Sequence, residues 1–415
     1  MIFKIIYNLG IHFYEFLIRL ISPFNKKAAL WFEGRKNIFE KIEASPIHNA
    51  DGSKKVAWFH AASLGEFEQG RPVIEAFKKV HPEYKILLTF FSPSGYEIRK
   101  NYAEANYICY LPSDTPSNAN AFINLVQPSI VFFIKYEFWA NYLRVLKSRG
   151  IPSISFSTIF RPNQVFFKVY GAFFRETLFC FNHILVQNNE SKELLNKIGY
   201  QAVTLAGDTR FDRVFEIASQ KKQLPLVENF KNNQPIFIVG SAWQQDMEVL
   251  IPLINERSDL KFIIAPHEIH EDEISTWQKQ FTGKSIRYSE AINDNNLAHY
   301  QILIINNIGL LSSLYQYANY AYIGGSFGKG LHNILEAATF GMPIFFGNKN
   351  YTKFQEAVEL VALGGAFAIG STAELKTKID GISHAINPAK ITENYVKQNI
   401  GASNKVLLIA KTLMK

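Results

Sequence analysis

The stretch WFHAASLGEFEQGRP, residues 58–72, marks a strand that turns directly into a helix. An apolar run that begins at Val56 reaches His60, a turn of small residues follows, and helical spacing starts near Glu66. A buried strand followed at once by a helix is typical of a β–α unit, whose strands pair in parallel. We therefore expect an α/β fold with ligands near the carboxyl end of this strand.

Apolar, β-branched or aromatic runs recur outward from this unit. Between several of them lie helical patterns at Phe67–Val80, Ser117–Val126 and Ala140–Arg149. Short apolar strands separated by helices predict a parallel sheet that is covered on both faces. The predicted strands of the first half are Val56–His60, Ile86–Phe91, Tyr107–Leu111, Ile130–Ile134, Ser153–Ser157, Ile184–Gln187 and Ala202–Leu205.

A second series of the same kind follows a polar segment, Glu216–Gln234, which contains Pro225 and predicts an interdomain linker. We expect two Rossmann-like domains, 31–215 and 235–415, with a cleft between the carboxyl ends of their sheets. Because this architecture suits many functions, the function has to be argued from site residues. The predicted strands of the second half are Ile236–Val239, Lys261–Ala265, Ile302–Ile305, Tyr320–Ile323 and Pro343–Phe346.

Composition narrows the classes of partner. Of 415 residues, 47% are hydrophobic and 19% charged, which allows a large core and excludes global disorder. The net charge of +8 favours an anionic partner. Basic residues are scattered and no nucleic-acid-binding motif is recognisable, so anionic lipid or a phosphorylated substrate is the better expectation than nucleic acid. Cys109 and Cys180 lie in apolar runs, which predicts buried, reduced thiols.

The N-terminal segment, residues 1–24, combines an apolar composition with a narrow polar stripe. Polar residues step by three or four, so at about 100° per residue they share one side of a helix. We predict that residues 1–30 form a membrane-anchoring helix that lies in the interface with this stripe toward water. A helix buried on its own domain and a membrane span remain alternatives. The stripe consists of Lys4, Asn8, His12, Glu15 and Arg19, and the basic residues Lys26, Lys27, Arg35 and Lys36 follow.

Glu66 is the first candidate catalytic residue. A carboxylate at the carboxyl end of a strand, in a partly desolvated cleft, is suited to take the proton of an attacking hydroxyl. Ser63 and Glu66 have the spacing of a helix-capping pair as well, so a purely structural role stays open.

A glycine-rich segment, GGSFGKGLHNILEAATFGMPIFFG at residues 324–347, follows a predicted strand. Glycines let backbone amides approach a phosphate, although many turns need glycine for backbone reasons alone. His332, Asn333 and Glu336 follow the glycines, and Glu336 could accept hydrogen bonds from sugar hydroxyls. The combination favours a nucleotide-sugar site. No acidic pair with the spacing of a metal-binding motif stands nearby, which predicts metal-independent activity.

Several motifs along the chain point to one known family. They are His60-Ala61-Ala62-Ser63-Leu64-Gly65-Glu66, Thr89-Phe90-Phe91-Ser92-Pro93-Ser94-Gly95, Glu137-Phe138-Trp139-Ala140-Asn141, Val186-Gln187-Asn188-Asn189-Glu190, Gly207-Asp208-Thr209-Arg210-Phe211-Asp212, Gly324-Gly325-Ser326 and His332-Asn333-Ile334-Leu335-Glu336. With these motifs the chain resembles, over nearly its whole length, the transferases of 3-deoxy-D-manno-octulosonic acid (Kdo), which have the two-domain GT-B architecture.

The resemblance implies an inverting glycosyltransferase that moves Kdo from CMP-Kdo onto a tetraacyl lipid A precursor (lipid IVA) in lipopolysaccharide core biosynthesis. It implies the cytoplasmic face of the inner membrane, its lipids as partners, and no cofactor. Glu66 would be the base, and Arg210 would stabilise charge on the departing phosphate. The implied substrate-binding residues are Ser63, Gly65, Glu137, Pro266, His267, Ile308, Gly309, Leu310, Gly325, Ser326, His332, Asn333 and Glu336.

The chain departs from the family pattern at positions other than Glu66, His332, Asn333 and Glu336. Lys135 stands where the family often has an acid, His267 replaces an arginine, and Leu331 replaces a glycine. Structural interpretations also stay open for single residues: His60 and His332 as packed histidines, and Arg210 as the partner of Asp212 in a surface ion pair. Trp139 is interpreted as core, and the aromatic residues Phe166, Phe167, Tyr170, Phe173 and Phe174 as helix core or an acyl-facing patch.

Three other functions share parts of this pattern. One is a GT-B transferase that uses a UDP-sugar, another is a nucleotide-sugar isomerase of the same fold, and the third is a lipid-surface binding protein without catalysis. The Ser-x-Gly-Glu turn favours the Kdo enzyme over the first two, and Glu66 argues against the third.

Overall fold

The chain folds into two compact α/β domains. The computed structural model describes residues 2–49, 51–220, 222–382 and 387–414. The first domain comprises residues 1–213 and 400–415, and the second comprises residues 214–399. Among the described residues, each domain contains a seven-stranded sheet with all strands parallel, which confirms the two predicted Rossmann-like domains. Met1 and Lys221, which fall in the predicted anchor and linker, lie outside the described residues.

The first sheet has the strand order β3-β2-β1-β4-β5-β6-β7. All six residues of β1 are buried, because Trp58 packs on one face of the sheet while Ala57 and Phe59 pack on the other. Each strand lies within a residue or two of its predicted place. The bounds are β1 Val56–Ala61, β2 Lys85–Phe90, β3 Tyr107–Tyr110, β4 Ile130–Ile134, β5 Ser153–Thr158, β6 His183–Val186 and β7 Val203–Leu205.

Helices connect these strands on both faces of the first sheet. Gly70 in α4 lies so close to the side chain of Ile134 that a Cβ atom would collide with it, which lets the helix approach β4. The helices are α1 Ile2–Ile21, α2 Lys26–Arg35, α3 Ile38–Glu43, α4 Leu64–Val80, α5 Pro93–Arg99, α6 Pro116–Val126, α7 Ala140–Ser148, α8 Ala172–Leu178, α9 Asn189–Lys197 and α10 Thr209–Ser219, with short 3₁₀ turns at Val165–Phe167 and Val169–Gly171.

The second sheet has the order β10-β11-β9-β8-β12-β13-β14. The edge strands β10 and β14 were not predicted from the sequence. β10 is only three residues long and β14 is half-buried along its middle, so neither shows the continuous apolar run of a central strand. The bounds are β8 Ile236–Ala242, β9 Lys261–Pro266, β10 Ser285–Arg287, β11 Ile302–Ile304, β12 Tyr320–Ile323, β13 Ile344–Gly347 and β14 Ala366–Ile369.

Ten further helices complete the described part of the chain, most of them on the second sheet. They are α11 Pro225–Lys231, α12 Gln244–Glu256, α13 Glu271–Gln278, α14 Tyr288–Ala291, α15 Leu311–Leu314, α16 Leu335–Ala338, α17 Gln355–Leu363, α18 Thr372–Gly381, α19 Pro388–Asn399 and α20 Ala402–Leu413, with 3₁₀ turns at Leu297–His299 and Tyr315–Tyr317.

The domain boundaries differ from the predicted ones in two places. The segment 216–234, predicted as a linker, contains the end of α10 and the whole of α11, which buries Val227 and Phe230. The last helix, α20, belongs to the first domain, although the sequence suggested that the second domain continues to residue 415. Asp212 holds α20 there by accepting hydrogen bonds from the backbone of Gly401, at 2.5 Å, and Ser403, at 2.7 Å.

Helix α1 lies along the carboxyl edge of the first sheet. The Tyr7 hydroxyl donates to Asp114 at 2.6 Å, and the amide of Asn141 donates to Asn8 at 2.9 Å. The ring of Tyr14 stacks on Phe91 with centroids 6.1 Å apart. These partners follow strands β3, β4 and β2, so the helix crosses the ends of three strands.

The outer face of α1 is apolar and exposed. The predicted polar stripe divides: Asn8 and Glu15 turn partly toward the domain, whereas Lys4, His12 and Arg19 stay exposed. Asn8 therefore contacts protein instead of water, contrary to the predicted orientation of the stripe. The part of the chain that the structure describes has no helix long and apolar enough to cross a membrane. The exposed apolar face consists of Ile2, Ile5, Ile6, Leu9, Phe13, Phe16 and Leu20.

The aromatic group near residue 170 is mostly core. Phe166 and Phe173 are buried, and only Tyr170 of the predicted patch is exposed by more than two thirds. Cys109 and Cys180 are buried free thiols, as predicted.

Candidate functional site

Glu66 lies at the carboxyl end of β1, as the third residue of α4. Its Oε2 accepts a hydrogen bond of 2.6 Å from the backbone amide of Ala62, whereas the side chain of Ser63 makes no capping hydrogen bond. The capping interpretation thus applies to Glu66 and not to Ser63. Glu66 is half-buried and Gly65 is exposed, so the carboxylate is not enclosed in the interior.

The environment of Glu66 raises the pKa of its carboxyl group to about 7. Burial is the main cause, and the nearby negative charge of Glu137 adds to it. The Ala62 amide and the charge of Lys135 oppose this rise. A carboxylate with a pKa near neutral pH can both take and release a proton, which is the requirement for a general base.

Glu137 lies beneath this edge in a buried network. Its carboxylate accepts hydrogen bonds from the rings of His60, at 3.0 Å, and Trp139, at 2.6 Å. Thr89 Oγ1 accepts from Trp58 at 2.7 Å and lies 2.8 Å from His60 Nδ1, so the threonine can donate to that nitrogen. His60 then carries its proton on Nε2, toward the carboxylate.

This network changes the interpretation of two residues. Glu137 is 6% exposed and His60 is fully buried. The structure therefore shows Glu137 as an interior partner of His60 that acts on Glu66 through its charge, where the sequence suggested direct substrate binding. For His60 the structural interpretation holds.

Arg210 lies at the start of α10, close to Asp208. Its Nε and one terminal nitrogen both approach Asp208 Oδ2 at 2.8 Å, and its backbone amide donates to Oδ1. Asp212, the ion-pair partner that remained open from the sequence, accepts hydrogen bonds from the backbone at the start of α20. Burial and, after it, the charge of Arg210 lower the pKa of the Lys135 amine, whereas the charges of Glu66 and Asp208 oppose this fall.

Lys135 follows β4 in a left-handed backbone conformation, with φ of 69°. Its backbone amide donates to Phe156 at 2.8 Å, and its carbonyl accepts from Thr158 at 3.1 Å. These bonds fix the turn that places a lysine where the related family often has an acid.

In the second domain the glycine-rich loop follows β12. Gly325 has φ of 94°, and a Cβ atom there would collide with the carbonyl of Gly330. Asp246, fully buried, accepts hydrogen bonds of 2.9 Å from the Gly325 amide and from the Tyr322 hydroxyl. Ser326 is buried as well and donates to the Lys349 carbonyl, so its hydroxyl is not available for the substrate contact that the sequence suggested.

A stack of rings stands beside this loop. The ring of His267 lies between Trp243, at 4.4 Å, and His332, at 4.2 Å, with interplanar angles below 30°. Trp243 Nε1 donates to His332 Nε2 at 3.0 Å, which leaves the proton of a neutral His332 on Nδ1. Burial lowers the pKa of His332 to about 4 and that of His267 in the same direction, so both rings are neutral at pH 7.

The remaining predicted residues end or follow strands β9, β11 and β12, at the carboxyl edge of the sheet. Glu336 accepts hydrogen bonds from Ser312, at 2.5 Å, and from Asn333, at 3.2 Å. Pro266 ends β9. The loop after β11 carries Ile308, Gly309 and Leu310, of which Ile308 is 93% exposed. These positions share one edge, where the ligands of parallel sheets bind.

Two residues of this edge, Trp243 and Asp246, were not identified from the sequence. Trp243 is the N-cap residue of helix α12 after β8 and Asp246 is its third residue, just as Ser63 is the N-cap residue of helix α4 after β1 and Glu66 is its third residue. The sequence did contain a signal for Asp246. In each domain, the third residue of the helix after the first strand is an acid. Within the described ranges, no group of three or more His, Cys, Asp or Glu side chains is placed to hold a metal ion.

Comparisons with known proteins show which chains this one is similar to. Residues 36–213 match the family profile described as 3-deoxy-D-manno-octulosonic-acid transferase. The Kdo transferase of Chlamydophila psittaci is 24% identical over 78% of this chain and 77% of its own length. That of Aquifex aeolicus is 26% identical over 87% of this chain and 94% of its own length.

Solved structures show the fold alone. The UDP-GlcNAc 2-epimerase from Neisseria meningitidis, solved with UDP-GlcNAc bound, superposes with a TM-score of 0.59 at 14% identity, over 87% of this chain and 99% of its own. An isomerase and a transferase can thus share this architecture, and the sequence relationship separates them. On the family profile over residues 36–213 and the relatives of 24–26% identity that match along most of the chain, this protein is a glycosyltransferase that is similar to the Kdo transferases.

Proposed function

We propose that the protein transfers Kdo from CMP-Kdo to a tetraacyl lipid A precursor, lipid IVA, with inversion at the anomeric carbon. The reaction would belong to lipopolysaccharide core biosynthesis at the cytoplasmic face of the inner membrane. The observation that carries the proposal is Glu66, a half-buried carboxylate with a pKa of about 7, on the same sheet edge as the apolar helix α1.

In the proposed step, an acceptor hydroxyl oxygen bonds to the anomeric carbon of Kdo while the bond from that carbon to the CMP phosphate oxygen breaks. Glu66 takes the hydroxyl proton and CMP leaves with the bonding electron pair. No covalent intermediate on the enzyme is needed. Arg210 is the cation proposed to stabilise the departing phosphate, and Lys135 adds positive charge near the same carboxylate.

We assign donor binding to the edge of the second sheet. The Trp243–His267–His332 stack offers flat, neutral rings to a nucleobase, and Nδ1 of His332 can donate a hydrogen bond. The Asn333–Glu336 pair suits sugar hydroxyls. The amides of Gly324, Gly325, Gly328 and Gly330 already donate within the protein, so the phosphate is assigned to other donors of this edge.

The outer face of α1 is the proposed membrane contact. Its large apolar side chains are exposed by 52–69%, and the cations Lys4 and Arg19 flank them. A helix with this division lies in the headgroup region, where apolar burial and attraction to anionic lipid add together.

The decisive experiment compares Glu66→Gln with Glu68→Gln, a carboxylate on the same helix that pairs with Arg99 at 2.6 Å. With CMP-Kdo and lipid IVA we expect Glu66→Gln to lose roughly 10²–10⁴-fold in turnover, the usual contribution of a general base. Glu68→Gln should retain turnover within a few-fold. CMP release and product mass are the measurements. Undiminished release in Glu66→Gln would contradict the base role, and turnover with a UDP-sugar would contradict the donor.

Membrane association is tested by the triple variant Ile6→Ser, Leu9→Ser, Phe13→Ser. Point changes are preferable to deletion of α1, which would uncover Asp114 and Asn141. We expect the variant to stop sedimenting with anionic vesicles, while Ile292→Ser, a similarly exposed residue elsewhere, sediments as before. Equal sedimentation of both would contradict the proposal.

Metal independence remains a proposal with a simple measurement. Turnover in excess EDTA should equal turnover without it. A loss that magnesium restores would contradict this proposal.

A further inference from the structure

A cavity of about 410 Å³ lies between α1 and α2 in the first domain. Three cations, Arg19, Arg35 and Lys36, line it together with one carboxylate, Glu15, and aromatic side chains that include Trp31. Its lining is therefore positive by formal charge, and it is concave, unlike the apolar face of α1 beside it.

Arg35 forms the inner wall of the cavity. Its guanidinium donates to the backbone carbonyls of Trp31, Leu111 and Phe91, at 2.8–3.0 Å, and stacks on the Trp31 ring at 3.8 Å. Burial lowers the pKa of this arginine to about 9. No carboxylate among the described residues forms an ion pair with it, so a partly desolvated positive charge faces only neutral acceptors. Such a charge favours an anionic ligand.

The other charges leave a positive excess. Arg19 is exposed at the rim and pairs with no carboxylate in the described part of the chain. Lys36 is paired with Glu33 at 2.6 Å, a bond between exposed groups that an anion can replace at little cost. Glu15 faces His12 at 3.6 Å.

The cavity connects the proposed membrane face with the catalytic edge. Phe16 lines it and also belongs to the exposed apolar face of α1. On the other side, Arg35 donates to the carbonyl of Phe91, whose amide donates to Ala61 at 3.4 Å, at the end of β1. A lipid with its acyl chains along α1 and its polar part toward Glu66 would pass this recess.

We propose that this cavity binds a phosphate group of the acylated acceptor lipid. This inference rests on the proposed function, which makes the acceptor a lipid. A recess with a guanidinium in its wall suits one phosphate group held by directed hydrogen bonds, whereas attraction to a bilayer surface needs no recess. Partly buried charges are also screened less by salt than those on an open surface.

The test measures binding, so it does not require turnover. In a Glu66→Gln background, acceptor lipid in neutral micelles is compared with the same lipid after phosphatase treatment. We expect the enzyme to bind the phosphorylated lipid at least about tenfold more tightly, the factor of one charge-assisted hydrogen bond. The double variant Arg19→Gln, Lys36→Gln should lose this preference. Arg35 is left intact because its three carbonyl contacts support the fold.

The matched control is Lys26→Gln, Lys27→Gln, which removes two charges from the exposed start of α2, outside the cavity. It should keep the preference for the phosphorylated lipid. An equal loss in the control would mean that general surface charge attracts the lipid, and a preference that persists in the cavity variant would place the phosphate elsewhere. Either result overturns the inference.

The two proposals fail in different ways. If wild-type enzyme turns over CMP-Kdo but shows no phosphate preference, the cavity inference alone is wrong. If turnover with CMP-Kdo is absent while the preference disappears only in the cavity variant, the cavity inference stands and the proposed donor is wrong.

Discussion

Glu66 and Asp246 occupy the same position in their two domains. Each is the third residue of the helix that follows a central strand, β1 or β8, and each accepts a hydrogen bond from the backbone of its own turn. Burial raises the pKa of both carboxyl groups. Asp246 is fully buried and also holds Gly325 and Tyr322, whereas Glu66 is half-buried beside another carboxylate. Asp246 has a structural role because three donors use its carboxylate. Glu66 accepts fewer hydrogen bonds, so its carboxylate can take part in chemistry.

The largest test of this contrast is Asp246→Ala. The change leaves the amides of Trp243 and Gly325 and the Tyr322 hydroxyl without their acceptor. Since each buried unsatisfied group costs about 1–3 kcal/mol, we expect a loss of roughly 3 kcal/mol or more in the free energy of unfolding. Urea unfolding measures it. Asp246→Asn, which keeps one acceptor oxygen, should lose less of the free energy of unfolding. If Asp246→Ala unfolded at the same urea concentration as the wild type, the structural role of Asp246 would be wrong.

A second test concerns the ring stack of the second domain. Trp243→Ala removes a stacking ring and the donor to His332, so we expect donor KM to rise by about tenfold, equivalent to about 1.4 kcal/mol. The turnover number should change much less, because the proton acceptor is untouched. Steady-state kinetics with varied donor separate the two constants. A fall in turnover number without a change in KM would show that Trp243 contributes to the chemical step and not to donor binding.

The third test asks whether the ionised carboxylate of Glu66 destabilises the folded state. Its pKa is about 7 in the fold and 4.5 in the unfolded chain, so the protein loses stability as the pH rises from about 4.5 to about 7. The loss is complete above about pH 7 and absent below about pH 4. Glu66→Gln should therefore raise the free energy of unfolding at pH 8.5 by on the order of 1 kcal/mol, after allowance for partial exposure. At pH 4 wild type and variant should unfold alike. Destabilisation at pH 8.5 would show that the capping bond to Ala62 dominates.

The smallest expected effect belongs to Glu137→Gln. Glutamine can still accept from His60 and Trp139, but it carries no charge, so the pKa of Glu66 should fall. The acid limb of kcat/KM against pH should then move to lower pH, by roughly half a unit. An unmoved limb, with wild-type stability, would show that burial alone sets the pKa of Glu66.

The sequence predicted the strands correctly where every residue of the strand is buried. Strands such as β1 and β4 are apolar at every position or nearly so, and their patterns predicted them to within a residue. The edge strand β10 has one buried residue in three, so local pattern could not reveal it. Helix α20 has ordinary amphipathic spacing, and nothing local indicates that its apolar face packs in the first domain.

The site was predicted less completely for a different reason. The turn that carries Glu66 and the glycine loop were both recognised from residue type and spacing. The direction of a side chain depends on its tertiary neighbours, and Glu137 and Ser326 turn inward against the prediction. Trp243 escaped notice because its role depends on two histidines far away in sequence, which only the folded sheet edge brings beside it.

The return of α20 to the first domain has a consequence for biosynthesis. Ala402, Val406 and Ala410 complete a hydrophobic core that includes Phe59 and Phe132, yet they leave the ribosome only after the entire second domain. The first domain must therefore wait with an open core while its successor is translated and free to fold. This order of events exposes the nascent chain to chaperones for longer than a contiguous domain of the same size would.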